Sequence, residues 1–240
     1  MKRLATILFL VTFSVSYGQW FGKKTIRDNG NIINKERHVG DYTSVKLKCF
    51  LDVILLKGEV GKVRIEASDN IEPYILTTIK NGEIIIELQE GYNYNFKHKV
   101  NVYVPVNEQL EQVSLSGSGD ISMKEQIKVG NLKCTLSGSG DISVNFNATR
   151  LDLSLSGSGD LVVTGKCPEI DIKMVGSGDI TTDSIRAERV TVQLSGSGDI
   201  DVYASKSIKA KVSGSGDISV KGNPELQDTH VSGSGEIHFK

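Results

Sequence analysis

From residue 111 onward, apolar side chains recur at every second position, and glycine interrupts them at a steady interval. The interruption is the string Ser-Gly-Ser-Gly-Asp. Its first glycine falls at Gly117, Gly138, Gly157, Gly176, Gly196, Gly214 and Gly233, so seven copies start 18 to 21 residues apart. The fourth copy has Val175 for the first serine, and the seventh ends in Glu236. Two residues before these glycines stand Leu115, Leu136, Leu155, Met174, Leu194, Val212 and Val231. Four residues after them stand Ile121, Ile142, Leu161, Ile180, Ile200, Ile218 and Ile237. The positions between are mostly Ser, Lys, Asp, Gln and Thr. A period of two means strands with one buried face.

One such unit is too small to bury its own apolar face, whereas stacked identical units bury all of them together. The pattern therefore predicts an all-β fold: a single-stranded β-helix (β-solenoid) of seven regular coils of about 19 residues, with Gly-Ser-Gly-Asp corners. Coils about 4.8 Å apart would make a rod roughly 34 Å long. The glycines point to corners with positive φ, or to a close approach of the two walls.

Residues 40–110 lack the motif but keep the alternation, in Val45–Leu47–Cys49, Leu51–Val53–Leu55, Val63–Ile65–Ala67, Ile84–Ile86–Leu88 and Val100–Val102–Val104. Asn81-Gly82 is a hairpin signal. This segment is expected to supply degenerate coils or a cap, since terminal repeats must protect an exposed end. Residues 19–39 are polar and are expected to be flexible. Residues 1–18 carry Lys2 and Arg3, the apolar run Leu4–Val15, and small residues at Ser16 and Gly18. That order reads as a secretory signal peptide cut before Gln19. The remaining chain holds no second membrane segment. It stops at Lys240, directly after the seventh copy, so no membrane barrel of its own is expected.

The repeats and the upstream segment Val45–Leu56 resemble the auto-transporter adhesin, head GIN domain family of Bacteroidetes-type bacterial envelopes, over roughly residues 40–240. The resemblance implies an exported β-helical domain, located in the periplasm, on the outer surface or outside the cell.

Composition narrows the function. A net charge of −1 gives no basic face for nucleic acid. Three widely spaced cysteines, Cys49, Cys134 and Cys167, make no disulfide framework and read as small core residues. The histidines are isolated, and no nucleophile elbow, zinc helix or phosphate loop is present, so the chain reads as a non-enzyme. Two groups carry candidate chemistry. Asp120, Asp141, Asp160, Asp179, Asp199, Asp217 and Glu236 would form one outward column. Neighbours about 4.8 Å apart repel by roughly 1 kcal/mol in water and about 3 at an effective dielectric of 20. Hydrogen bonds from nearby hydroxyls or turn amides would relieve this; a metal column, with Ca²⁺ as cofactor, is the alternative. The second group is Tyr92, Tyr94 and Phe96 in GYNYNFKHK, which either contact a glycan or cover the end of the core.

The sequence thus predicts an exported, non-enzymatic cell-envelope protein, adhesive or structural, with an envelope or glycan ligand. A calcium-dependent surface module and a polysaccharide-active enzyme are the alternatives. An unprotected strand edge in the last copy, Val231 to Phe239, would favour a homo-oligomer. Mass spectrometry of exported protein should find the first 18 residues removed; a secreted chain still beginning at Met1 refutes the signal-peptide reading.

Overall fold

The computed structural model describes residues 23–240, most of them in β-strands. The expected signal peptide, residues 1–18, lies outside the described residues. Each Ser-Gly-Ser-Gly-Asp copy is a corner between two walls. The strands before the corners form the first wall: Gln112–Gly117, Asn131–Gly138, Arg150–Gly157, Glu169–Gly176, Ala187–Gly196 and Leu226–Gly233. Those after the corners form the second: Asp120–Ser122, Ile142–Asn147, Leu161–Lys166, Ile180–Thr181, Ile218–Lys221 and Ile237–Phe239. The strand Ile200–Gly214 serves both, with residues 200–203 in the second wall and 207–214 in the first. This is the β-solenoid that the period predicts.

The repeat pairings are parallel, and their corner glycines are in register: Gly117 faces Gly138, Gly138 faces Gly157, and so on to Gly233. Leu115, Leu136, Leu155, Met174, Leu194 and Val212 consequently stack as one buried file, and Ile121, Ile142, Leu161, Ile180, Ile200 and Ile218 as another. Each such side chain contributes about 1.5–3 kcal/mol by leaving water. A slip of one residue would turn a whole file outward, so burial holds the register. The cysteines join this core. Cys134 and Cys167 are buried and all three thiols are free. Burial pushes the Cys134 thiol up to about 12.

At the N-terminal end, spatial order departs from chain order. The coil built from Ser44–Leu47 and Asp52–Lys57 lies directly against Gln112–Gly117 and Asp120–Ser122. Outside it sits a later coil, Glu83–Leu88 with Asn101–Val106. The chain therefore starts one coil inward, moves out, and returns to the other side of its first coil. Antiparallel strands complete this end: Ile75–Lys80 pairs with Glu83–Leu88, and Gly61–Ser68 pairs with both Asn101–Val106 and Ile32–Gly40. Asn81 (φ 53°) and Gly82 (φ 74°) make the expected hairpin turn.

Of the segment 19–39 expected to be flexible, residues 19–22 lie outside the described residues and the rest carries two strands. Lys24–Arg27 and Ile32–Gly40 are strands. The second is polar because it lies on the outside, as a charged edge strand carrying Lys35, Glu36, Arg37 and His38. Arg37 and Lys35 both pair with the buried carboxylate of Glu72 in the 3-10 turn Glu72–Tyr74, fastening that edge to the body.

The glycines have a specific cause. The first glycine of each copy has positive φ, +139° at Gly157. A Cβ there would lie 2.1 Å from the carbonyl oxygen of Gly138. At Gly159 it would lie 1.9 Å from the oxygen of Gly140. The close approach is between neighbouring coils, not between opposing walls. Gly157→Val should therefore destabilise strongly. Overpacking costs about 1–3 kcal/mol and the positive φ adds a further 1–3. Ser158→Val, one residue away and exposed, should change stability by less than about 0.5 kcal/mol. Equal denaturation midpoints for the two variants would contradict this account of the corner.

Candidate functional site

The corner amides of the regular stack follow one scheme, shown by the central copy. The Ser158 and Gly159 N–H groups both donate to the Gly138 carbonyl, at 2.9 and 3.3 Å. The Leu161 N–H donates to the Asp179 carbonyl at 2.9 Å. The amide left over is that of the aspartate itself, and the carboxylate one coil away takes it. Asp141 donates to Asp120 Oδ1 at 3.1 Å, Asp160 to Asp141 at 2.9 Å, and Asp179 to Asp160 at 3.0 Å. Asp199 donates to Asp179 at 2.8 Å, Asp217 to Asp199 at 2.9 Å, and Glu236 to Asp217 at 2.8 Å. The predicted column thus exists, and each aspartate in it bonds a backbone amide of the next coil. The acids stand in single file. Among the described residues no three or more His, Cys, Asp or Glu side chains gather as a metal would need.

The aromatic candidates lie at the opposite end from the last repeat. Tyr92–Asn95 is a short strand paired in parallel with Lys24–Arg27. Tyr92, Tyr94 and Phe96 alternate with exposed Asn93, Asn95 and Lys97, and rest half-buried against the core. Two rings that sequence reading passed over join them. Phe50 lies 5.3 Å from Phe96, centroid to centroid. Phe96 lies 5.9 Å from Tyr94, and Tyr94 6.0 Å from Tyr74. Tyr74 meets Tyr92 edge-on at 4.9 Å. The result is a five-ring strip, and Phe50 is its most exposed member at 46%.

The position of Phe50 follows from the corner. Leu47 pairs with Leu115 and Asp52 with Asp120, so Lys48-Cys49-Phe50-Leu51 occupies the place of Ser116-Gly117-Ser118-Gly119. Side chains fit here because the next coil outward leaves the stack at Leu88 and rejoins it at Asn101. No corner lies beneath Cys49 and Leu51 to clash with their Cβ atoms. The departing segment is the one that carries Tyr92, Tyr94 and Phe96. Aligning Lys48–Asp52 on the repeat would have revealed Phe50; Tyr74, in an irregular turn, carries no such signal.

Asp28, another residue the sequence did not flag, anchors the strip. Its carboxylate accepts the N–H groups of Lys97 (3.1 Å), His98 (2.8 Å) and Gly30 (2.7 Å), the Ser68 hydroxyl, and His98 Nδ1 at 3.0 Å. Burial raises its pKa, but these donors outweigh burial and hold the carboxyl well below the usual range. The loop after Phe96 is therefore fixed to the strand Lys24–Arg27 at neutral pH.

Comparison with known proteins adds the following. A family model described as "Putative auto-transporter adhesin, head GIN domain" matches residues 41–224. No curated protein matches the chain. Among solved structures, a putative adhesin from Bacteroides fragilis aligns with TM-score 0.81 at 22% identity, covering 90% of this chain and 100% of that one. A putative lipid binding protein from Parabacteroides distasonis aligns with TM-score 0.75 at 22% identity, over 90% and 100%. A putative adhesin from Parabacteroides merdae gives 0.67 at 20%, over 90% and 99%. Identities this low establish a shared fold.

The carboxylate ladder can be tested at Asp160. Asp160→Asn keeps an Oδ1 acceptor for the Asp179 amide and should change stability by less than about 0.5 kcal/mol. Asp160→Ala leaves that amide to water and should cost roughly 1 kcal/mol. Chelator should leave the ranking unchanged. Equal midpoints for wild type, Asn and Ala would show that the bond contributes nothing.

Proposed function

The chain belongs to the auto-transporter adhesin, head GIN domain family, and on that basis we propose that it is a non-enzymatic adhesive binding module exported to the cell envelope. The observation that carries this reading is the division of the surface. Along the regular coils the corner positions repeat from coil to coil, giving ladders of Ser and Asp, and the wall positions between them carry varied polar and charged side chains. Catalysis needs unlike groups with separately tuned environments converging on one point. A ladder of like groups suits a rigid spacer. Among the described residues the one large non-repeating aromatic surface is at the N-terminal end, where a module held out from the envelope would make contact.

Fluorescently labelled protein should bind saturably to envelope preparations from a Bacteroidetes-type bacterium. The same protein incubated with polygalacturonate should release no unsaturated products. Product formation that scales with protein concentration, or the absence of saturable binding, would overturn the proposal.

A further inference from the structure

Resting on the adhesive reading, we infer that the strip Phe50–Phe96–Tyr94–Tyr74–Tyr92 is a binding site for an uncharged, extended polysaccharide lying along the axis of the rod. Tyr74, Tyr92 and Tyr94 touch one another at 4.9–6.4 Å, and Phe96 and then Phe50 extend from that cluster in a line at 5.9 and 5.3 Å. Packing explains the half-buried tyrosines, but it does not explain a phenylalanine 46% exposed at a corner where every regular coil carries serine. Partly exposed aromatic faces match the apolar face of a sugar ring, and the tyrosine hydroxyls at the strip supply polar groups beside it.

Register sets the direction of the bound chain. Phe50 occupies the file continued by Ser118, Ser139, Ser158, Ser177 and Ser197. A polymer stacked on the strip and aligned with the rod passes onto this smooth hydroxyl edge, where the glycines on either side raise no side chain against it. The serine file alone would be only a polar edge; the strip makes it the continuation of a site.

Local charge selects the ligand class. Lys99 is paired with Asp52 at 2.6 Å and Lys48 with Glu87 at 3.6 Å, so the lysines on either side of Phe50 are already neutralised. Beside the serine file runs the aspartate column from Asp120 to Asp217, whose members form no ion pairs among the described residues. A polyanion aligned with the rod would meet that column, whereas a neutral glycan would not.

Native affinity electrophoresis through gels containing hydroxyethylcellulose tests this, with polygalacturonate gels as the acidic comparison and cellotetraose as a short competitor. Wild type should be retarded by hydroxyethylcellulose and not by polygalacturonate. Phe50→Ala, at an exposed position, should keep the wild-type melting temperature and lose at least tenfold in affinity. Changing Ser139, Ser158 and Ser177 together to Val should weaken the polymer severalfold while leaving competition by cellotetraose unchanged. Retardation unaffected by Phe50→Ala, a preference for polygalacturonate, or no retardation at all would each overturn the inference. If hydroxyethylcellulose fails both to retard the protein and to compete for envelope preparations that the protein still binds, the adhesive reading stands and this inference alone falls.

Discussion

The architecture depends on the contact between the backbones of successive corners. A carbonyl oxygen of one coil lies about 2 Å from where a Cβ of the next would be, so the corner admits only glycine. That closeness lets one glycine carbonyl take two amides of its neighbour and lets both walls keep parallel register across every coil. It also leaves one amide per coil without a backbone acceptor. The aspartate side chain fills that place, so the five-residue motif reads as one device: glycine for the approach, aspartate for the amide that the approach leaves over.

A rod built this way repeats its corners from coil to coil, while its wall faces carry varied polar side chains. Its flanks carry charge pairs, including those of Arg150 with Asp152 on its own strand and with Glu169 and Asp171 on the next. Such exposed pairs contribute little individually. Distinctive chemistry has to arise where repetition fails, and it fails where a coil leaves the stack between Leu88 and Asn101. The departure releases the adjacent corner from the glycine requirement, and Phe50 appears there. The same excursion supplies three of the other rings, and Asp28 fixes its far end. Relief of the corner constraint and creation of the aromatic strip are thus one structural event.

How much of this the sequence displays differs from region to region. Regular coils were legible because parallel stacking of like on like makes identical demands at each turn, and identical demands leave a period. The buried files, the corner positions and the Asn81-Gly82 turn could all be read directly. The strands at Lys24–Arg27 and Ile32–Gly40 were not legible. One is short, and the other, as a charged outer edge, lacks the apolar alternation that marks a half-buried strand.

The sequence by itself determined the β-solenoid, its period, its inward faces, and the file of carboxylates. Each follows from a local pattern that burial or backbone geometry imposes on every coil. Only the tertiary structure decided that the glycine contact runs between coils, that each carboxylate holds the next coil's amide, and that the Glu83–Val106 coil sits outside Ser44–Lys57. It alone gathered Phe50 and Tyr74 with Tyr92, Tyr94 and Phe96. The physical reason is common to all of these. They depend on which segments become neighbours in the stack, and a chain that doubles back on its first coil leaves no periodic trace of that order.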